Sequence, residues 1–138
     1  MLTIARVRPA DRERYAAVRR LLGAAEESTL AGPVSAEVWL LLAEAEGAPA
    51  GALTAVVVPK LDARRGFLFI DELVVAPGQR RQGVATALLA RAEARAQAAG
   101  LAGVRLLVRP ENAAARRLYA QAGYRASPTL FCEKTFSA

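Results

Sequence analysis

The sequence comprises 138 residues, 54% hydrophobic and 23% charged, which suffices for one sizeable core but not two, so we expect a single domain spanning residues 1–138. One cysteine and no histidine exclude an intrachain disulfide and a cysteine-rich zinc site, and argue against metal catalysis. The net charge of +6 comes mainly from arginines that are spread along the chain, and this even distribution argues against nucleic-acid binding. The sequence has neither an apolar run long enough to span a membrane nor a signal-peptide pattern, so we expect a cytoplasmic protein with no membrane association.

The first half of the chain predicts a strand, a helix and a hairpin. The opening stretch "LTIARVRP" alternates like a short strand, and apolar residues at helical spacing then follow Asp11, a predicted N-cap. Residues 28–36 contain glycine, proline and serine and are typical of a loop. Residues 37–58 hold two apolar runs joined by a Gly-Ala-Pro turn, which predicts an antiparallel hairpin.

The second half predicts a strand-helix-strand unit, a short helix and a final strand. The apolar run "FLFIDELVV" reads as a strand, residues 82–99 show helical spacing, and residues 104–108 form the next strand. These two strands should be parallel neighbours, because a crossover helix joins them. The stretch "NAAARRLYAQAG" predicts a short helix, and "TLFCEKTF" predicts the last strand, with its cysteine as a small buried apolar residue.

The junction "VVAPGQRRQGVATALL" is suited to an anion. The first N–H groups of a helix have no partner within the helix, and their dipoles add up to partial positive charge. Gly83 would let the main chain approach a phosphate closely, Ala85 is small, and Arg80 and Arg81 add positive charge. The alternative reading is a solvated turn that merely starts a helix. Neither GxxxxGK[ST] nor GxGxxG is present.

Two motifs in this half resemble those of the GNAT superfamily of N-acetyltransferases. "LVVAPGQRRQGVATALL" resembles the acyl-CoA-binding signature, an Arg or Gln, two variable residues, Gly, one variable residue, then Gly or Ala. "VRPENAAARRLYAQAGY" resembles the strand and helix that follow in the family. The resemblance implies an α/β fold with a mixed, mostly antiparallel sheet of six to seven strands and about four helices, in which a splayed parallel pair forms the acyl-CoA cleft.

The resemblance also implies that acetyl-CoA is the cosubstrate and how it is bound. The pyrophosphate would rest on N–H groups of the turn, and the pantetheine would lie along the strand before it. The implied cofactor-binding residues are Leu73, Val74, Val75, Arg80, Arg81, Gln82, Gly83, Val84, Ala85, Thr86, Asn112 and Tyr119.

Acetyl transfer to an amine needs a base, because an alkyl ammonium with a pKa of about 10 is nearly all protonated at neutral pH. Asp71 and Glu72 interrupt an apolar strand and are the candidates for this base. Side chains alternate between the two faces of a strand, so at most one of them should point into the cleft unless a bulge intervenes. We favour Glu72. The alternative interpretation is that both acidic residues are solvent-facing charges on the open side of the sheet. Tyr119 stands where the family has its proton donor; the alternative is a core aromatic residue on the face shared with Ala115 and Ala122.

The function expected from this resemblance is direct acetyl transfer to a primary amine of a small molecule or peptide. The alternative is a non-catalytic module that binds CoA or a partner with the same fold. The acceptor groove of the family maps to about residues 20–36 and the last strand pair. Glu26 and Glu27 would attract a cationic acceptor there, and they are equally well interpreted as exposed charges at a helix end. The sequence does not identify the acceptor amine. A homodimer would be in keeping with the family, although no sequence feature indicates one.

Overall fold

The computed structural model describes residues 1–23, 38–60 and 65–137. They fall into two compact units, Met1–Leu107 and Val108–Ala138, which are taken one at a time below. Every helix within the described ranges is too short or too polar to cross a membrane.

The first unit is built on a five-stranded sheet. Its strands run in the order β1-β2-β3-β4-β5, with β1 to β4 antiparallel to their neighbours and β5 parallel to β4. The predicted hairpin and the predicted parallel pair are thereby confirmed. The strands are β1 (Leu2–Val7), β2 (Val38–Ala45), β3 (Ala48–Val58), β4 (Phe67–Val75) and β5 (Gly103–Leu106).

Two helices cover this sheet, α1 (Arg12–Leu21) and α2 (Val84–Ala98). The α1 helix packs with a buried cluster that includes Leu40 and Leu42. Leu41, which lies between these two leucines in the sequence, is also fully buried. Because side chains alternate along a strand, Leu41 lies on the opposite face of the sheet. The apolar residues of α2 are buried as well, so the core has a layer on each face of the sheet.

Gly51 in β3 permits the close approach of α2. A Cβ atom at Gly51 would lie 2.8 Å from the carbonyl oxygen of Val74, 2.9 Å from Cγ1 of Val84 and 3.2 Å from Cδ1 of Leu88. A glycine inside a strand often marks such an approach. Because Val84 is the first residue of α2, this contact holds the start of the helix against the end of β4.

The second unit contains α3 (Ala113–Gln121) and a segment without regular structure, residues 124–137. The predicted final strand is therefore wrong within the described chain. The structure assigns no strand to residues 124–137. Cys132 is exposed, not buried as expected. The described residues hold five strands and three α-helices, fewer than the six to seven strands and four helices expected, and the loop at 28–36 lies outside them.

We expect Gly51→Ala to lower the free energy of unfolding by about 1–3 kcal/mol, the usual cost of forcing an extra carbon into a packed core. Gly78→Ala is the matched control, because no described atom lies within 4 Å of a Cβ there, and its effect should stay within about 0.5 kcal/mol. Urea unfolding of both variants measures the difference. Equal stability of the two variants would show that α2 does not press on Gly51.

Candidate functional site

The turn between β4 and α2 has an unusual backbone. A short 3-10 helix, Pro77–Gln79, follows β4, and Arg81 and Gly83 then adopt left-handed conformations with φ of 63° and 77°. Positive φ is uncommon for a residue other than glycine. Turns of this kind bring successive main-chain N–H groups toward one concave surface, which is a common way of binding an anion.

The N-terminus of α2 differs from those of the other two helices. Asp11 Oδ1 caps α1 by accepting from the N–H of Arg14 at 3.4 Å, and Asn112 Oδ1 caps α3 by accepting from the N–H of Ala115 at 3.1 Å. The N-cap of α2 is Gly83, and no side chain of the described residues caps this helix. Its first N–H groups and its partial positive charge are thus left for a ligand.

Space for a ligand exists in front of this helix end. A Cβ atom at Gly83 would meet no described atom within 4 Å. Arg80, Arg81, Gln82 and Thr86 are exposed, whereas the side chain of Val84 is buried and anchors the turn to the sheet. A cavity of about 280 Å³ adjoins the turn and is lined by Met1, Leu2, Ala45, Glu46, Gln79, Gln82 and Val84.

A β-bulge in β4 sets the position of the two acidic residues. Glu72 pairs with Thr54 of β3 and Ile70 pairs with Ala55, so Asp71 is the extra residue between the two pairs. Because directly opposed residues share a face of the sheet, Glu72 lies on the face of Thr54. Both carboxylates are exposed. The sequence allowed for such a bulge but could not locate it.

The parallel pairing of β4 with β5 stops at the same place. It joins Phe67–Ile70 to Gly103–Leu106, and residues 71–75 have no strand partner on that side within the described chain. Over the same residues β4 remains paired with β3 on its other side. The main chain of Leu73, Val74 and Val75 therefore has one edge without a strand partner within the described chain, and an extended ligand can pair with an edge of this kind.

Thr54 is a polar residue that the sequence reading missed. Its Oγ1 atom is buried, and no described residue makes a hydrogen bond to it. A buried hydroxyl without a partner is costly, and such atoms often mark bound water or a functional site. A lone threonine within the otherwise apolar stretch "GALTAVVV" was the available signal.

In the second unit, Tyr119 is half-buried on α3, and its ring centroid lies 5.8 Å from that of Tyr124. Burial raises the pKa of Tyr119 above its ordinary value, because removal from water disfavours the phenolate. The side-chain oxygen of Asn112 is engaged in its helix cap. Its amide NH₂ group is thus the part suited to contact a ligand.

A second cavity in the first unit, of about 440 Å³, lies between α1 and the β2–β3 hairpin. Arg14 ion-pairs there with Asp11 at 3.8 Å and with Glu44 at 3.3 Å. None of the predicted catalytic or cofactor-binding residues lines this cavity, although Arg20, at the start of the predicted acceptor groove, does. The predicted acceptor residues Glu26 and Glu27 lie outside the described residues.

The family comparison agrees with the signature found in the sequence. The model of the Acetyltransferase (GNAT) family matches residues 8–124. The chain belongs to this family. No protein of curated function matches its sequence.

Solved GNAT structures share the fold at low sequence identity. The aminoglycoside acetyltransferase meta-AAC0020, from an uncultured soil metagenomic sample, is 16% identical with a TM-score of 0.85, over 99% of this chain and 97% of that one; it has also been crystallised with sisomicin. The aminoglycoside N-acetyltransferase AAC(6')-Iy in complex with CoA is 19% identical with a TM-score of 0.73, and the match covers 98% of this chain and 100% of that one. A ribosomal-protein-alanine N-acetyltransferase from Brucella melitensis is 18% identical with a TM-score of 0.76, and the match covers 97% of this chain and 99% of that one.

Proposed function

We propose that this GNAT protein is an N-acetyltransferase that transfers the acetyl group of acetyl-CoA directly to a primary amine. The observation that carries the proposal is the start of α2 at Gly83, which no described side chain caps, following a β4 strand whose edge has no partner beyond Ile70 within the described chain. Diphosphates bind well at such helix ends, because backbone N–H groups and the helix dipole both favour negative charge. The family match extends over both units, which supports one acetyltransferase domain over residues 1–138.

The residues present fit the chemistry of CoA. Main-chain N–H groups from Arg81 to Thr86 would hold the diphosphate, with Arg80 and Arg81 adding exposed positive charge. The free side of β4 at Leu73–Val75 would pair with the amide groups of the pantetheine, as an added strand does. When bound, acetyl-CoA supplies the activated acetyl thioester.

Glu72 is the proposed general base. It would take the proton from the amine, directly or through a water molecule, so that the nitrogen lone pair becomes free to form the new N–C bond. Its position supports the role, because it lies opposite the buried hydroxyl of Thr54, which has no hydrogen-bond partner among the described residues and can bind that water. Asp71, as the bulged residue, lacks such a neighbour in the register.

Tyr119 is the proposed general acid. As the C–S bond breaks, its phenol would donate a proton to the departing thiolate. The raised pKa keeps this phenol protonated, and able to donate, throughout the neutral and mildly alkaline range. The amide NH₂ group of Asn112 is proposed to contact the cofactor.

The acceptor is proposed to be a small-molecule or peptide primary amine. Solved structures with this fold include aminoglycoside acetyltransferases and a ribosomal-protein-alanine N-acetyltransferase, so both classes belong in an acceptor panel. A cytoplasmic location and the absence of a nucleic-acid partner stay predictions from the sequence.

The proposed base is tested by thiol release from acetyl-CoA with a panel of aminoglycosides, polyamines, amino acids and peptide N-termini. For the best acceptor, Glu72→Gln should lower kcat/KM by about 10²–10⁴-fold, the usual contribution of a general base, while acetyl-CoA affinity stays unchanged. Asp71→Asn, one residue away and equally exposed, is the matched control and should stay near the wild-type rate.

The opposite ranking of these two variants would move the role of base to Asp71. If the protein bound acetyl-CoA but no amine in the panel released thiol or became acetylated, the non-catalytic CoA-binding module would be the correct reading.

The proposed acid is tested by pH dependence. Because burial raises the pKa of Tyr119, its phenol stays protonated up to that raised value, and the alkaline loss of kcat should begin only above about pH 10. Tyr119→Phe should lower kcat and remove one high-pH tyrosine transition from an ultraviolet titration. Tyr124→Phe, its ring neighbour, is the control. An unchanged kcat in Tyr119→Phe would rule out the acid role.

A further inference from the structure

Thr54 carries a buried polar group that the packing of the first unit does not explain. Its Oγ1 atom is buried and has no hydrogen-bond partner among the described residues. The nearest residues on its face of β3 are Ala52 and Val56, two positions away on either side, and both are apolar. A valine would have nearly the same shape and no hydroxyl to satisfy, so the hydroxyl does not serve the stability of the sheet.

The bulge at Asp71 decides which residue this hydroxyl faces. Ala55 pairs with Ile70, so an unbroken antiparallel register would place Asp71 opposite Thr54. The extra residue in β4 instead places Glu72 there. The two side chains that face each other across the strands are therefore a carboxylate and a buried hydroxyl.

The spacing of this pair suits one bridging water molecule. Directly opposed residues of antiparallel strands have Cβ atoms about 4.5–5.5 Å apart, yet Thr54 Oγ1 makes no direct hydrogen bond to the Glu72 carboxylate. A water molecule between two such groups can accept from the hydroxyl and donate to the carboxylate at the same time. Because Glu72 is exposed, a hydrogen-bonded link to the neighbouring strand would restrict the orientations of its carboxylate.

We propose that Thr54 is a positioning residue for acetyl transfer, an assignment that rests on the proposed role of Glu72 as general base. The Thr54 hydroxyl donates a hydrogen bond to a water molecule, and this water donates one to the Glu72 carboxylate. The water takes a proton from the acceptor ammonium and passes one of its own protons to Glu72. The amine is then neutral, Glu72 is protonated, the water is regenerated, and Thr54 keeps its proton.

Thr54→Val tests this role, because it removes the hydroxyl at nearly constant shape. With the best acceptor of the panel, kcat should fall by about ten- to hundredfold, which corresponds to a hydrogen bond to a charged group. The KM values for acetyl-CoA and for the amine should stay near those of the wild type, because the water acts in proton transfer and not in binding. Thr54→Ser keeps the hydroxyl and should recover most of the lost rate.

Thr3→Val is the matched control for this substitution. Thr3 of β1 also lies opposite a glutamate, Glu44 of β2, and none of the proposed site residues belongs to these two strands. Its kcat should equal that of the wild type. An equal loss of rate in Thr3→Val and Thr54→Val, or an unchanged kcat in Thr54→Val, would overturn the positioning role.

A double-mutant cycle shows whether Thr54 acts through Glu72. Glu72→Gln removes the carboxylate, so adding Thr54→Val to it should change kcat by no more than about twofold, the usual error of additivity. A full further loss would mean that Thr54 acts independently, and would overturn the proposal. A normal rate in Glu72→Gln would overturn the base and the role of Thr54 together, whereas a slow Glu72→Gln beside a normal Thr54→Val would overturn the role of Thr54 alone.

Thermal unfolding tests the assignment without any acceptor. If the hydroxyl serves the reaction and not the fold, the Tm of Thr54→Val should equal or exceed that of the wild type, because the change removes a buried polar group without a partner in the described chain. A lower Tm in Thr54→Val, with Thr3→Val unchanged, would show that the fold uses the hydroxyl and would contradict the positioning role.

Discussion

The β-bulge at Asp71 is the constraint on which the rest of the site depends. One extra residue in β4 shifts its register against β3 between Ile70 and Glu72, and the parallel pairing with β5 ends at Ile70. Beyond that point, β4 stays held by β3 on one side and keeps its other side free of a strand partner within the described chain. The placement of Glu72 opposite Thr54 follows from this bulge, and the unpaired edge at Leu73–Val75 begins at the same point of the strand.

A second constraint brings the end of this strand next to a helix N-terminus. Gly51 has no side chain, so Val84 and Leu88 of α2 pack closely on β3, and the helix begins directly after the left-handed Gly83. The first turn of α2 is thereby fixed by its buried side, while no side chain of the described residues caps its N–H groups. Rigid packing on one side and unsatisfied donors on the other are the physical conditions for a preorganised anion site.

The sequence predicted well the features that depend on local pattern. The hairpin, the crossover helix and the caps at Asp11 and Asn112 all follow from periodicity and turn chemistry, and the structure confirms them. The bulge, the contact at Gly51 and the buried hydroxyl of Thr54 arise from how distant segments align, which periodicity does not encode. The final strand was wrong within the described chain, because strand propensity in "TLFCEKTF" does not by itself fix a strand.

The central claim is that main-chain N–H groups at the start of α2 bind the diphosphate of CoA, and titration calorimetry with CoA tests it most directly. Gly83 and Gly100 stand at opposite ends of α2, both with φ of 77° and both with no described atom within 4 Å of a Cβ, so replacing either with glutamate imposes the same backbone strain. The account predicts CoA binding by the wild type and by Gly100→Glu, and affinity at least about tenfold weaker in Gly83→Glu. Equal affinity of the two variants, or no binding by the folded wild type, would contradict it.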